Sequence, residues 1–232
     1  PFKITKDDYE SVEGLRGKTP IKVPAWAIKE VLYAGRDPVY DMALLKRDQG
    51  NFVTALKGFR LALENMADPK MWKWAAEYCN FGIADGMFQG GYFEGYVDKL
   101  GHKYQTPSHY FRAVIKANPK SRFLLESYVK LACSLAEEGR FKEAQKAFED
   151  AEATIKVYLD QMKKLDAKYQ EVGEKFLAMN APAQARMLEK RNDDWGRDAD
   201  YTETLDRLRK IQEISKDKFP EIYAKAVDDE LR

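Results

Sequence analysis

From Phe141 to Phe176 the sequence carries one stripe spaced alternately three and four residues apart. It runs Phe141, Ala144, Phe148, Ala151, Ile155, Tyr158, Met162, Leu165, Tyr169, Val172, Phe176. Steps of three and four keep these side chains on one side of an α-helix, with the mean period of a coiled-coil seam. No Gly or Pro interrupts the stripe before Gly173. The spacing predicts a single helix from Arg140 to Leu177, about 57 Å long at about 1.5 Å per residue. A domain of this size does not need such a rod, so the stripe has to lie against other helices, of this chain or of a partner.

The rest of the chain is read against that helix. With 232 residues it is long enough to bury a core in one or two domains. No apolar run approaches about 18 residues, which excludes a helical membrane span. Thirty-nine basic residues against thirty-eight acidic ones leave a net charge of +1. Binding nucleic acid through its backbone needs clustered excess Lys and Arg, so nucleic acid is not the expected partner. Cys79 and Cys133 stand far apart without a partner motif, which predicts free thiols rather than a disulfide framework or a zinc site. The sequence starts at Pro1, which fits a cleaved organellar presequence, a cleaved signal peptide or a trimmed chain equally.

Residues 1–36 hold Gly14, Gly17, Pro20 and Pro24 among scattered charges and read as an extended N-terminal arm, with at most a short helix around Ala25 to Tyr33. From residue 37 to 154 helical periodicity repeats itself. Tyr40 to Arg47 forms one helix, Gly50-Asn51 a turn, and Phe52, Ala55, Phe59 and Ala62 mark the next. Eighty-nine residues later the pattern returns: Tyr128, Leu131, Ala132 and Leu135, a turn at Glu138-Gly139, then Phe141, Ala144, Phe148 and Ala151. Small residues let two helices approach while aromatic rings fill the space beside them. A degenerate copy lies between, Trp72 to Gly82 and Tyr110 to Ala117, with an aromatic, Gly-rich insertion at 86–106. Residues 155–232 hold the extension of the long helix, a break at Asn180-Ala181-Pro182, and helices near Ala183 to Asn192, Thr202 to Lys216 and from Pro220. These are expected to fold back as a helical hairpin. No strand-like alternation runs at length, and the fold predicted is all-α.

This two-helix unit resembles the tetratricopeptide repeat, a helix-turn-helix of about 34 residues. Ala43, Gly50, Ala55, Phe59, Ala62 and Pro69 fall at that family's small, turn, packing and terminal positions. So do Tyr128, Leu131, Ala132, Gly139, Ala144, Phe148 and Ala151. The pentatricopeptide repeat, of nearly the same length, fits residues 136–144 about as well, and the residues do not separate the two. The resemblance covers about half of the chain. It implies stacked helix pairs with a concave surface, and by repeat position Tyr40, Leu44, Arg47, Glu126, Val129 and Cys133 would face that groove. In architecture the chain is also similar to the pentatricopeptide-like accessory subunit carried on the catalytic head of protist mitochondrial ATP synthases.

No pattern predicts catalytic, cofactor-binding or metal-binding residues. His102 and His109 stand seven apart without a third ligand nearby. Gly17-Lys18-Thr19 lacks the earlier Gly of a phosphate loop, because Val12 stands there. Gly86, Gly90, Gly91 and Gly95 follow no strand, as a dinucleotide fingerprint would require. The densest local feature is aromatic, and Tyr92, Phe93 and Tyr96 are candidate contacts, since Tyr gives large contact area at low entropy cost. A loop plugging its own groove is the competing reading. The expected function is a non-catalytic scaffold or adaptor that binds protein subunits of a larger assembly, such as a mitochondrial complex in the organelle matrix. The alternatives are an organellar RNA-binding pentatricopeptide-like protein, and a small-molecule enzyme with a pocket under the aromatic loop. No small-molecule ligand is predicted.

Overall fold

Helices dominate the computed structural model, which describes residues 2–28, 31–68, 73–162, 164–195 and Arg209. Seven α-helices occur among the described residues. The chain divides into two units, Pro1–Lys130 and Leu131–Arg232.

The N-terminal segment is not a bare arm, and the all-α expectation is corrected here. Strands β1 (Phe2–Asp7), β2 (Ser11–Arg16) and β3 (Thr19–Pro24) form an antiparallel meander in that order. Gly17, with φ 67°, opens the two-residue turn between Arg16 and Thr19, which are paired. A positive φ at that position matches the right-handed twist of the strands it joins. The Asp8 carboxylate accepts from the backbone N–H of Glu10 and Ser11, shaping the other turn. Pro20 and Pro24 both lie in β3, an edge strand, where a missing N–H breaks no ladder. Strands of six residues with two prolines show too little alternation to be read as a sheet; the pairing becomes visible only in three dimensions.

In the same unit, α1 (Pro38–Asp48) and α2 (Phe52–Asn65) are capped by Asp37 and Asn51, whose side chains accept from Val39 N and Thr54 N. Helix α3 (Ala75–Gln89) packs on α2, and α4 (Pro107–Ala117) on α3. The helix expected to end at Gly82 runs seven residues further. A Cβ at Gly58 would lie 2.8 Å from Ala43 Cβ, and one at Gly82 2.7 Å from the Phe59 ring, so glycine sets how closely these helices cross. Leu56, Phe59, Ile83 and Met87 fill the core between them. The insertion between α3 and α4 forms a short hairpin, β4 (Tyr96–Val97) with β5 (Lys103–Tyr104).

Helix α5 (Leu124–Glu137) crosses from the first unit into the second, and Glu138 to Arg140 turn it into α6 (Phe141–Met162). The predicted rod from Arg140 to Leu177 does not exist. Helix α6 stops at Met162, about 33 Å long at about 1.5 Å per residue, and α7 (Ala167–Trp195) begins after Asp166. The Asp166 carboxylate accepts from Lys168 N at 2.9 Å, a helix N-cap. Helix α7 then runs back along α6. Tyr169 meets Tyr158 edge-on, a Cβ at Gly173 would strike Leu159, and Asn180 Nδ2 donates to Phe148 O at 3.2 Å. From Tyr169 to Asn180 the partner on α6 moves back from Tyr158 to Phe148, which is antiparallel packing. The stripe is buried from Phe141 to Met162 and again at Tyr169, whereas Leu165, in the turn, is exposed.

The break expected at Asn180-Ala181-Pro182 is also corrected, because α7 continues through Pro182. A proline inside a helix costs about 3 kcal/mol. Here the buried side chains of Ala178, Ala185 and Leu188 on both sides, with the Asn180 bond to α6, hold the helix together. Apart from Arg209, the predicted helices at 202–216 and from Pro220 lie outside the described residues. No helix among the described residues is long and apolar enough to cross a membrane.

Candidate functional site

Alternate helices of the first unit open onto one cleft of about 390 Å³. Helix α1 lines it with Tyr40, Leu44, Arg47 and Asp48, and α3 with Tyr78, Phe81, Gly82 and Asp85. In both, the spacing of three, four and seven or eight residues puts the set on one helical face. Arg122, Phe123 and Glu126 come from the entry and first turn of α5, and Val31 from the segment after the meander.

Its floor is aromatic. Phe81 and Phe123 stack at 4.1 Å between centroids, with planes 13° apart, and Tyr78 meets Phe123 edge-on at 4.9 Å. Its walls are charged and paired. Asp85, buried on α3, lies 2.5 Å from Lys130 Nζ and 3.5 Å from Arg47 Nη1, and accepts from Gln89 Nε2 at 2.7 Å. Lys130 also reaches Glu126 at 2.6 Å and sits about 6 Å over the rings of Phe81 and Phe88. Burial disfavours the Lys130 ammonium, but the carboxylates of Glu126 and Asp85 outweigh it and hold its pKa above the ordinary lysine value.

A second network closes the N-terminal end. The Asp7 carboxylate of β1 accepts from Tyr33 Oη at 2.6 Å and from Tyr78 Oη, through the same oxygen. Burial, with the Asp7 charge adding to it, raises both tyrosine pKa values, so the hydroxyls stay protonated donors. Tyr33 stacks on Trp74 at 4.6 Å. Arg122 donates to Ile28 O at 3.0 Å, and Tyr9 N donates to Lys120 O at 3.0 Å. The meander and the chain after it are thereby tied to α3 and to the turn before α5. Glu77 holds that turn from α3, accepting from Ser121 Oγ at 2.6 Å and Asn118 Nδ2 at 2.9 Å; burial still raises its pKa.

No family model matches this chain, and no curated protein matches it. The site is therefore argued from its own geometry.

Of the residues singled out from sequence, Tyr40, Leu44, Arg47 and Glu126 come together on the cleft. Val129 is buried and does not line it. Cys133, half-buried, belongs to the second unit. Tyr92 and Tyr96 pack, partly buried, against the helical core, and Phe93 meets Phe88 edge-on at 5.7 Å. The insertion thus packs on its own helices. At its tip Asp98 accepts from Leu100 N, His102 N and the His102 ring. His109 is exposed beside Tyr110. Sequence reasoning missed Asp7, Asp85, Arg122 and Phe123. Asp85 left a signal, an acid between two glycines on the buried face of an apolar helix; the others become neighbours only through the fold.

Proposed function

We propose that this chain is a non-catalytic scaffold, built of helix pairs in the manner of tetratricopeptide or pentatricopeptide repeats, that docks a protein partner in the cleft. One observation carries the reading: α1, α3 and the start of α5 line a single cleft, whereas α2 and α4 do not contribute to it. Docking on alternate helices is what stacked helix pairs with a concave face provide. A stacked aromatic floor between charged walls suits a protein contact, in which buried aromatic and Arg anchors dominate. Two guanidinium groups against three carboxylates in the lining disfavour a phosphate backbone, which ranks RNA binding lower. A subunit of a larger assembly, with the mitochondrial ATP synthase as one concrete candidate, is the setting we propose.

The test is purification from the native source under mild conditions, followed by mass spectrometry. A discrete complex is expected, and Leu44→Asp should weaken retention by at least about tenfold, the effect of losing a contact worth about 1.4 kcal/mol or more. Recovery as a lone monomer, or turnover of a metabolite by the purified chain, would refute the proposal.

A further inference from the structure

The cleft's charges are not equally accessible, and the difference selects a partner. Arg47, Arg122 and Asp85 are 21%, 11% and 5% exposed at their side chains, and each is engaged within the chain. Arg47 lies between Asp48 and Asp85, and Arg122 is held by Ile28 O near Asp7. Lys130, behind the wall, is 17% exposed and bridges Asp85 and Glu126. The most exposed charged groups of the lining are carboxylates, Asp48 of α1 at 65%, paired with Arg47, and Glu126 of α5 at 35%, paired with Lys130. In each of these pairs the cation is the less exposed partner of Asp48 or Glu126, so an incoming group meets carboxylates first.

Its N-terminal end also shows what backbone it accepts. Ile28 is extended, with φ −107° and ψ 114°, and Arg122 captures its carbonyl, while Val31 of the same segment lines the wall. One extended residue, Ile28, is thus already held at this end through its main-chain oxygen, and Val31 adds an aliphatic side chain to the lining.

From these observations we infer that the open part of the cleft takes an extended, basic segment of a partner protein. One aliphatic side chain of that segment lies over Phe81 and Phe123, and flanking Lys or Arg side chains reach Asp48 and Glu126. This rests on the scaffold reading and adds the chemistry of the partner. The volume of about 390 Å³ is near the low end of the range of about 300–1,000 Å³ for small-molecule pockets, room for one side chain of the segment and not for the whole of it. Complementary rim charge governs partner choice and association rate more than final affinity, so binding should weaken with salt.

The full chain should be titrated by fluorescence anisotropy with two labelled octapeptides sharing a Val-Leu-Val centre, one flanked by lysines and one by glutamates. The basic peptide is expected to bind at least about tenfold tighter, as two opposed charge pairs imply. Asp48→Lys with Glu126→Lys should invert the preference. Because Glu126 also holds Lys130, the neutral pair Asp48→Asn with Glu126→Gln provides a gentler variant, expected to cut the preference to within about threefold. Equal binding of both peptides, preference for the acidic one, displacement by single-stranded RNA, or a preference unmoved by either double variant would overturn the inference. A native assembly recovered alongside such a result would leave the scaffold reading standing. A chain recovered without associates would remove both.

Discussion

Helix α3 contains a paired test of how closely it packs on α2. Gly82 and Gly86 lie one turn apart in the same helix, both buried and both with helical backbone. Replacing a helical Gly by Ala is worth about 1 kcal/mol in propensity, wherever the new methyl has room. At Gly86 it has room, since the nearest atom, Leu56 Cδ2, is 3.5 Å from the point a methyl would occupy, an ordinary contact. At Gly82 three ring atoms of Phe59 lie at 2.7–2.8 Å. Phe59 is fully buried, and Tyr40 meets its ring edge-on at 5.7 Å, so it has nowhere to retreat. Overpacking of this kind costs about 1–3 kcal/mol. Gly86→Ala should therefore stabilise by up to about 1 kcal/mol, whereas Gly82→Ala should lose up to about 2 kcal/mol after the propensity gain is set against the clash. Urea unfolding followed by far-ultraviolet circular dichroism measures both, provided the slope against denaturant is unchanged. Gly82→Ala at or above the stability of Gly86→Ala would refute the close α2–α3 crossing.

Two further outcomes probe the ends of the first unit. Asp7→Ala leaves the Tyr33 and Tyr78 hydroxyls without their acceptor. It should cost about 1–3 kcal/mol for each buried hydroxyl left unsatisfied. Cleavage of residues 2–24 by a protease should quicken, and unchanged protection there would contradict the anchoring role. At the insertion tip, burial opposes ionisation of Asp98, but bonds from the His102 and Leu100 N–H groups and the His102 ring prevail, bringing its pKa down to about 2. A depressed carboxylate pKa stabilises the folded form above its unfolded value of about 3.9. That contribution is lost as pH falls through about 2, so the protection of the His102 amide relative to its intrinsic exchange rate should fall between about pH 4 and 2. Protection with no step in that interval would remove the Asp98 cap.

Sequence by itself determined which helical faces are buried. The stripe from Phe141 to Met162 and the repeated Ala and Phe positions follow from local periodicity, which depends on neighbours in the chain. Four of the cleft-lining residues, Tyr40, Leu44, Arg47 and Glu126, were expected on a groove from their position in the resembling repeats. Periodicity does not say whether a helix is continuous. A seam of three and four fits a rod and a hairpin folded upon itself equally well, and the Asp166 cap with the α6–α7 contacts decided for the hairpin. Nor does local sequence weigh Pro182 against the packing around it. The meander, the sharing of Asp7 by two tyrosines, and the stacking of Phe123 on Phe81 join residues from about ten to about seventy positions apart. Such contacts are fixed by the free energy of the whole packed unit, and only tertiary structure decides them.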